Sequence, residues 1–533
     1  MSSYSPKHRR AAGEQPVAGT AVTLRYHEQT KHSYTSVRRE AYTLDWANQP
    51  SPYKQYLEAE RLSLPQEVSG DLPPTLELLR RLAEPGSSAP CRPAGLGELS
   101  TLCQLGYGIT AQKVYPGLVY DLRAAPSAGA LFPCELYVAL RGVEGVADGV
   151  YHYAPADHSL GCLRRGDFLP VLQAAAGGHP ALAGANLIFV ISAIWWRSSW
   201  KYRQRAYRYC LHDTGHLAGN LLLAGKALGY RPALVYDFVD GEVNRLLGLE
   251  VQREAALALV ACCSGEPAAP SPAPPPLPAI APACRPLSPQ EVTYPLILDT
   301  HAATCLSDVQ ALAAARRGVL VQTVLAGGEA QPSFLLPDPT AAASAQPLPE
   351  TIARRRSSRS FVCQSVSPVA LSALLAATAA GYPGDLAAPP PLEVAVIVNA
   401  VEGIAPGAYR YDAAHHRLLQ VREGDLRSWA AYLSLEQQLC GNAAAVIFLL
   451  ADLEKLAARG GERAYRRTLI EAGLRGEFIY LVSRALGLGC SGIGAFYDDQ
   501  VVEFFEAAPG TAVIYELAVG MESPDGRIVE CNS

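Results

Sequence analysis

The arginine-rich segment 354–361 carries the clearest binding signal in the chain. It places Arg355, Arg356 and Arg359 among three serines, and Ser357 directly follows the arginine pair. Guanidinium groups grip phosphates through forked, charge-assisted hydrogen bonds, and an adjacent hydroxyl adds a further donor. We therefore predict a phosphate-binding segment here. The alternative is a basic turn that faces solvent.

A second segment consists of small residues that lead into an apolar run. Its members are Pro126, Ser127, Ala128 and Gly129. Small side chains allow backbone amides to approach a flat or charged ligand closely. The pattern indicates a ligand-contacting turn, with an ordinary turn as the alternative.

A glycine-rich segment, 489–496, follows a predicted helix. It lacks the preceding strand and the later acidic residue of a dinucleotide fingerprint. We predict a loop whose main-chain N–H groups face the edge of a ligand ring. The residues concerned are Gly492, Ile493, Gly494 and Ala495.

The dipeptide Lys201-Tyr202 could supply a proton acceptor. Three tryptophans lie within the preceding residues 195–200, and arginines flank the pair. Apolar walls and like charges lower the pKa of a lysine, which makes it a usable base near neutral pH. The alternative is a surface lysine beside a structural aromatic cluster. Adjacent helical residues point about 100° apart, so both can face one ligand only at a helix end or a bend.

His212 and His216 lie four residues apart on a predicted helix, which is a metal-ligand spacing. No third ligand follows from the pattern, and such pairs on a helix face are more often structural. We therefore expect no metal site.

These segments lie in two copies of one domain. Residues 143–240 and 401–498 match at a constant offset of 258, and the run Arg-Ala-Tyr-Arg at 205–208 returns at 463–466. A period this long indicates a duplicated domain rather than a solenoid. Two fused copies can imitate a symmetric dimer.

Each motif survives in only one copy. The first copy keeps the small turn and Lys201-Tyr202, and the second keeps the arginine and glycine segments. Equivalent positions in the other copy hold unrelated residues, at 84–87, 231–238, 384–387 and 459–460.

Apolar runs and helical periodicity predict an α+β fold, with a central mixed sheet and packed helices in each copy. Strands are predicted at 135–140, 187–193, 256–261, 392–398, 445–450 and 513–519, and long helices at 206–228 and 464–486. The predicted organisation is a flexible start and lead-in at 1–70, a first domain at 71–265, a Pro/Ala-rich linker at 266–290, a bridge at 291–345 and a second domain at 346–533.

Composition excludes several classes of protein. The chain is 49% hydrophobic with a net charge of −5, which argues against disorder and against a nucleic-acid partner. Its first ten residues contain no apolar run, and its longest apolar stretches are too short to span a bilayer. Thirteen scattered cysteines without a Cys-x-x-Cys pair predict free thiols and a cytoplasmic location.

Taken together, the motifs resemble the flavin-dependent nitroreductase fold, and more narrowly its azoline-oxidising branch, the SagB-type or cyanobactin-oxidase-type peptide dehydrogenases. The segments at 126–129, 201–202, 355–361 and 485–496 carry the resemblance, together with the tyrosines and histidines of 151–158.

The resemblance implies FMN at the interface of a dimer, here an intrachain pseudo-dimer. One protomer of such a dimer supplies the arginine-serine and glycine segments, and the other supplies the small turn and the Lys-Tyr pair. Applied to this chain, the rule implies one complete site and one FMN per chain.

The implied reaction is oxidation of a thiazoline or oxazoline to a thiazole or oxazole, with Lys201 or Tyr202 as base and oxygen as electron acceptor. The expected substrate is a ribosomal peptide or a carrier-bound nonribosomal one, and the expected partner is a cyclodehydratase or synthetase complex. Two alternatives stay open: an NAD(P)H-dependent nitro or quinone reductase, and a non-catalytic scaffold.

Overall fold

The computed structural model describes residues 21–39, 42–68, 71–84, 94–115, 118–263, 274, 277–318 and 332–523. The predicted flexible start at 1–20 lies outside these residues. So do much of the predicted linker and positions 85–87, which the sequence places opposite the arginine segment.

The first half of the chain folds into a seven-stranded sheet, with strand order β1-β6-β5-β4-β7-β9-β8, and a separate hairpin of β2 and β3. Its helices are α1 Val22–Gln29, α2 Tyr34–Arg39, α3 Thr75–Arg80, α4 Leu96–Tyr107, α5 Leu169–Ala175, α6 Trp195–Tyr202, α7 Ala206–Ala227 and α8 Asp240–Leu247. Its strands are β1 Arg61–Ser63, β2 Ile109–Tyr115, β3 Leu118–Arg123, β4 Cys134–Leu140, β5 Gly149–Ala154, β6 Ser159–Arg165, β7 Ala185–Ile194, β8 Arg231–Val235 and β9 Glu254–Cys263.

The second half repeats this design in an eight-stranded sheet, with order β10-β14-β13-β12-β15-β17-β11 and β16 also paired with β17. Its helices are α9 Pro295–Thr304, α10 Val309–Arg317, α11 Leu348–Arg354, α12 Pro368–Ala377, α13 Arg427–Leu433, α14 Gln438–Asn442, α15 Leu453–Gly460, α16 Arg463–Ala485 and α17 Asp498–Phe504. Its strands are β10 Ser333–Leu335, β11 Phe361–Val362, β12 Glu393–Val398, β13 Gly407–Asp412, β14 Arg417–Glu423, β15 Ala445–Asp452, β16 Gly489–Ile493 and β17 Thr511–Glu522.

The α+β prediction is confirmed, but the prediction of mixed sheets is wrong. Within the described ranges, the paired strands of both sheets run antiparallel. Short turns join β5 to β6 and β13 to β14, whereas parallel neighbours need a long crossover. The central strands β7 and β15 are buried along nearly their whole length, which explains why their sequences are continuous apolar runs.

We call the two folded halves the first unit and the second unit. Their long helices, α7 and α16, cross with their backbones in contact. A Cβ atom on Gly215 would lie 2.0 Å from the Ile470 carbonyl oxygen, and one on Gly473 would lie 2.1 Å from the His212 carbonyl oxygen. These two glycines are equivalent in the repeat. A side chain at either position would force the helices apart, so the close contact between the units depends on both.

A reciprocal pair of buried ion clusters ties the units together. Arg205 and Arg208 of the first unit contact Asp498 of the second at 3.1 and 2.8 Å. The equivalent arginines of the second unit contact Asp240 of the first at 2.9 and 2.6 Å; they are Arg463 and Arg466. The repeated Arg-Ala-Tyr-Arg run thus holds the interface together in both copies.

The repeated histidines have a structural role. The two ring nitrogens of His158 lie 2.9 Å from the Tyr153 hydroxyl and 2.7 Å from Ser100 Oγ. The second unit repeats this arrangement around His416, with Tyr411 and Ser372. Because the same contacts occur in both units, they do not account for a difference in function between them.

The duplication extends into the lead-in and the bridge, which the sequence does not reveal. Helix α1 packs on the second unit, where His27 lies 3.2 Å from the Tyr465 hydroxyl. Helix α9 packs on the first unit, where His301 lies 3.3 Å from the Tyr207 hydroxyl. Strands β1 and β10 then add to the edges of the two sheets. Each copy therefore begins with an arm that reaches across to the other.

Two predictions from composition have different outcomes. Ten described cysteines are free thiols, but Cys363 is disulfide-bonded, so the expectation of free thiols throughout is wrong. Within the described residues, no helix combines the length and the apolar character that a bilayer crossing requires.

Candidate functional site

A cavity of about 360 Å³ lies between the two units, and we call it the central cavity. The first unit lines it with the 126–129 turn and with four residues between 209 and 216 of α7. The second unit lines it with residues of the 355–359 segment and with positions 491, 492 and 494 of the glycine segment. Motifs more than 200 residues apart in the chain therefore meet at one place.

The backbone of the arginine segment is fixed beside β16. Ser358 N donates to the Cys490 carbonyl at 2.9 Å, and the Ser357 and Tyr480 hydroxyls lie 2.8 Å apart. This pairing directs the neighbouring arginine side chains toward the first unit.

The three predicted phosphate-binding arginines differ in their surroundings. Arg355 is buried and donates to the Ala124 carbonyl at 2.9 Å, so it ties the segment to the first unit. Arg356 donates to the Thr110 carbonyl at 3.0 Å. Arg359 is exposed, and its side chain makes no hydrogen bond or ion pair with the described residues. Arg359 is therefore the best placed of the three to receive a ligand anion, and the half-buried Arg356 is more accessible than the buried Arg355.

A lysine that the sequence analysis missed joins this positive group. Lys113 lies on β2 and lines the central cavity, and its pKa is lowered by burial and by the like charges of Arg359 and Arg356. Crowded cations repel one another, so an anion bound among them gains favourable interactions with all three. Lys113 has no sequence signal because β2 and β3 form a separate hairpin of ordinary composition.

The small turn lies directly against the Lys-Tyr pair. Gly129 has φ of +65°, and a Cβ atom there would lie 2.7 Å from the Tyr202 hydroxyl and 3.2 Å from Lys201 Nζ. Glycine is needed here both for its backbone conformation and for space. Ser127 Oγ accepts from Phe132 N at 2.9 Å, which fixes the turn.

Lys201 and Tyr202 are the last two residues of α6, and the chain breaks from helical geometry at Arg203, where φ is +49°. The expected break in regular structure is therefore present. Burial lowers the pKa of Lys201, and the like charge of Arg359 lowers it further. Burial raises the pKa of Tyr202, and the neighbouring Tyr209 adds to this effect. The neutral amine is thus easier to form than the phenolate.

The glycine segment is a strand at Gly492 and Ile493, where a loop was predicted, whereas Gly494 and Ala495 follow the strand in irregular backbone. Residues Gly489–Ile493 form β16 and pair with β17. A Cβ atom on Gly492 would lie 1.9 Å from the Tyr515 hydroxyl, and one on Gly494 would lie 2.1 Å from the Tyr209 ring. These glycines leave room for two tyrosine rings at the cavity wall.

The other two predicted residues of this segment do not line the central cavity. The Ile493 side chain packs in the core of the second unit, and the Ala495 carbonyl accepts from Gln437 Nε2 at 3.4 Å. The Gly494 carbonyl accepts from the Tyr209 hydroxyl at 3.0 Å, which connects the strand to the first unit. Of the four predicted residues, Gly492 and Gly494 therefore provide the wall contact.

Buried polar groups of α7 complete the wall. The His212 ring stacks on the Tyr515 ring at 4.7 Å, and neither of its ring nitrogens has a hydrogen-bond partner within the described ranges. Burial raises the pKa of Asp213 to about 8, although hydrogen bonds from Ser127 and Ala128 lower it. Near neutral pH Asp213 is then mostly protonated and can donate as well as accept.

The spacing of His212 and His216 reflects packing around Tyr515. His216 Nε2 lies 3.2 Å from the Tyr515 hydroxyl. Among the residues that the structure describes, no group of three or more potential metal ligands is gathered in one place.

Among the residues that the structure describes, contacts fill the equivalent interface on the other side of the molecule, which we call the mirror interface. Residues 384–387 are the counterpart of the small turn, and the chain just before them pairs with the end of β8. Leu234 N donates to the Pro383 carbonyl at 3.0 Å. Asp385 then accepts from the backbone N–H groups of Tyr236 and Asp237 at 2.9 and 3.0 Å. The gap that forms the central cavity is therefore filled by backbone contacts here.

Buried charges and tyrosines occupy the remaining space at the mirror interface. Arg467, which is equivalent to Tyr209, donates to Asp237 at 2.8 Å. Tyr236, which is equivalent to Gly494, places its hydroxyl 2.6 Å from Glu471. A tyrosine in place of a glycine thus removes the space that a second ligand would need.

Comparison with known proteins agrees with this architecture. The model of the nitroreductase family matches residues 72–265 and 352–521, in two separate segments. The chain therefore belongs to the nitroreductase family, whose members typically bind FMN. A crystal structure of a putative nitroreductase from Anabaena variabilis superposes over 94% of this chain and 100% of that chain, with a TM-score of 0.74 and 29% identity.

Three relatives are each similar to part of this chain. One is named Putative nitroreductase MJ1384, from Methanocaldococcus jannaschii, and is 33% identical over 30% of this chain and 76% of that protein. The Trifolitoxin-processing protein TfxB of Rhizobium leguminosarum bv. trifolii is 31% identical over 25% of this chain and 38% of its own length. The Microcin B17-processing protein McbC of Escherichia coli is 27% identical over 25% of this chain and 52% of its own length. The chain thus has distant similarity to two peptide-processing proteins and spans about half of their length or less.

Proposed function

We propose that this protein is an FMN-dependent dehydrogenase that oxidises thiazoline or oxazoline rings in a peptide natural-product precursor. One observation carries the proposal. Lys201-Tyr202 of the first unit lies against the small turn of the central cavity, and the arginine-serine segment of the second unit lines the same cavity. The resemblance to azoline-oxidising peptide dehydrogenases and the similarity to two peptide-processing proteins support the same substrate class.

The wall of the central cavity fits FMN. Arg356, Arg359 and Lys113 form a cationic group for the phosphate, and forked guanidinium contacts suit phosphate oxygens. His212, whose ring nitrogens lack partners among the described residues, and the protonated Asp213 offer polar contacts to a ring edge. The cavity of about 360 Å³ falls within the usual range for ligand pockets, about 300–1,000 Å³.

Of the two residues that could act as base, Lys201 is the better candidate. Burial and Arg359 lower its pKa, so a larger fraction is the neutral amine that can accept a proton. Tyr202, with a raised pKa, remains a phenol, and its hydroxyl beside Gly129 orients the ring of the substrate by hydrogen bonding.

The reaction removes one proton and one hydride from the azoline ring. A bound FMN supplies the acceptor for the hydride, which leaves the ring carbon next to the sulfur or oxygen. Lys201 accepts the proton from the carbon that lies between the carbonyl and the ring nitrogen. This carbon is acidic because the negative charge is shared with the adjacent carbonyl and imine. Oxygen is the proposed final electron acceptor.

The substrate is a ribosomal peptide or a carrier-bound nonribosomal one, and a cyclodehydratase or synthetase that forms the azoline is the proposed partner. The protein supplies orientation and proton removal, whereas the redox chemistry belongs to the cofactor.

The second candidate is an NAD(P)H-dependent reductase of nitro or quinone compounds. The relatives named as nitroreductases favour it. Such a reaction requires reduced nicotinamide and does not require Lys201 as a base.

One assay separates these functions. The flavin-loaded chain is incubated in air with a synthetic thiazoline peptide, and the product is examined by mass spectrometry. The proposal predicts a mass decrease of two hydrogens without NADPH. Rapid NADPH consumption with a nitro or quinone compound, and an unchanged peptide, would support the reductase. A chain that binds no flavin and changes neither compound would support a scaffold.

A further inference from the structure

A second cavity, of about 540 Å³, is lined in part by the Lys-Tyr pair, and we call it the side cavity. The lead-in positions 29–32, 37 and 42, the end of α6 and Leu435 of the second unit contribute to its lining. We infer that the side cavity binds the peptide segment next to the azoline ring and that Arg203 holds a carboxylate of that segment. This inference rests on the proposed function, since it names where that substrate is recognised.

The position of the side cavity suits a substrate arm. Lys201 and Tyr202 line the side cavity and also lie against Gly129 of the central cavity. Tyr209 lines both cavities, and its ring centroid lies 4.6 Å from that of Tyr202. A peptide in the side cavity therefore has its ring beside the proposed base and the proposed flavin position.

Backbone strain marks the wall of the side cavity. Arg203 and Leu435 have φ of +49° and +53°, a region that favours glycine. In the other copy the equivalent positions are Gly461 and Gly177, with φ of +64° and +66°. Glycine adopts this conformation without steric cost, and strained residues cluster at ligand sites. Arg203 and Leu435 therefore raise the conformational energy of the backbone relative to glycine. Both side chains line the side cavity.

The equivalent place at the mirror interface is filled by helix α10. Leu312 of this helix is buried, and a Cβ atom on Gly177 would lie 3.1 Å from its side chain. Arg316 of the same helix donates to Asp385 at 3.1 Å. The counterpart of α10 in the lead-in, α2, buries none of its residues. The two equivalent helices therefore differ: α10 fills the space at the mirror interface, whereas α2 leaves the side cavity open.

Charge favours an anionic group in the ligand. Among the described residues, no carboxylate side chain lines the side cavity, whereas four lysine and arginine side chains do. Lys31 is paired with Asp499 at 2.8 Å, and Arg205 with Asp498 at 3.1 Å. Arg203 is exposed and stacks on the Tyr42 ring at 4.1 Å, and it forms no ion pair within the described part of the chain. A carboxylate that reaches the rim can therefore pair with Arg203.

The aromatic lining indicates a peptide rather than a free anion. Tyr42, Tyr202, Tyr209 and Tyr294 contribute rings to the side cavity. Tyrosine offers a rigid apolar face together with a hydroxyl, which suits extended peptides that present both methylene groups and amides. A peptide segment with one carboxylate satisfies both the rings and the charge.

The test measures binding, so it does not depend on turnover. The probe is a short synthetic peptide with one thiazole, an N-terminal fluorophore and a free C-terminal carboxylate, titrated with the flavin-loaded protein by anisotropy. Arg203→Gln and Arg203→Gly should each raise Kd about tenfold or more, because a charge-assisted hydrogen bond is lost. Arg203→Gly should not lower Tm, since it relieves the strained backbone.

Two controls make the test specific. Arg317→Gln alters an exposed arginine of α10 at the mirror interface and should leave Kd unchanged. An amidated peptide should bind wild type about tenfold more weakly and should bind Arg203→Gln as weakly as the free acid does.

A further variant tests the apolar lining. Leu435→Gly should raise Kd for both peptides, because it removes a side chain that lines the side cavity.

The outcomes separate this inference from the proposed function. Equal Kd values for wild type and all variants, or no binding by wild type, would overturn the side cavity as a peptide site. If wild type forms azoles and the variants match its KM, the function stands and the inference fails. If the variants lose affinity while wild type forms no azole, the peptide site stands and the function fails.

Discussion

The central cavity and the mirror interface are built from equivalent elements but reach opposite results. At the central cavity a glycine at 494 admits the Tyr209 ring and leaves space beside it. At the mirror interface the equivalent positions hold Tyr236 and Arg467, which fill that space with buried hydrogen bonds and ion pairs. Duplication has allowed one interface to become structural while the other keeps its cavity.

A pseudo-symmetric protein can divide two tasks that a symmetric dimer must combine. Both interfaces retain the clusters of Asp240 and Asp498 with their arginines, whereas the residues next to these clusters differ. Variants at equivalent positions of the two interfaces therefore form natural control pairs.

The largest difference is expected from Lys201→Ala. Loss of a general base typically lowers the rate by about 10²–10⁴-fold, so azole formation should fall to about a hundredth or less while FMN content is unchanged. Product formation and flavin absorbance measure the two effects. Arg459→Ala, at the equivalent position beside the mirror interface, should keep full activity. Normal azole formation by Lys201→Ala would remove this residue from the mechanism.

Asp237→Ala, at the mirror interface, should lower the stability of the protein without changing flavin binding. This carboxylate is fully buried and paired with Arg467 and Arg463. Loss of one partner of a buried pair costs about 3–5 kcal/mol, so Tm should fall clearly. The FMN-to-protein ratio of the folded fraction should stay the same. A loss of flavin without a loss of stability would place a ligand at the mirror interface.

A double substitution of Arg356 and Arg359 by alanine tests the anion site. Each charge-assisted hydrogen bond contributes about 1.5–3 kcal/mol, so the double variant should purify largely without FMN. Arg354→Ala, which alters an exposed arginine paired with Glu350 at 2.8 Å, is the matched control. A fully yellow double variant would contradict the phosphate assignment.

A smaller effect is expected in the pH profile. The base must be unprotonated, and the pKa of Lys201 is lowered by burial and by Arg359. Hence kcat/KM should rise with pH and level off below the ordinary lysine pKa of about 10.4. Arg359→Gln, assayed at saturating FMN, removes the like charge and should shift the rising limb to higher pH. A shift to lower pH would contradict the assignment of Lys201 as base.

Much of the fold could be predicted because duplication and apolar runs leave clear sequence signals. The strands around Leu136 and Val446 and the helices α7 and α16 lie where periodicity places them. The antiparallel pairing could not be read from these runs, because a strand buried on both faces has the same composition in either arrangement.

The candidate site could be predicted in part. The small turn, the segment 355–357 and the glycines carry motif signals, and the structure brings them to one cavity; their roles stay predictions. Tyr209, Asp213 and Lys113 were missed because isolated residues on a long helix or a hairpin resemble ordinary core or surface positions. The equivalence of α2 and α10 has no sequence signal, because these two exposed helices have few residue types in common.

The number of flavins bound per chain tests the single composite site most directly. The purified protein, saturated with FMN and freed of excess ligand, is analysed by flavin absorbance against protein concentration from amino-acid analysis. One complete site between the units predicts a ratio of one. A ratio of two would show that the mirror interface opens to bind flavin and would contradict a single composite site.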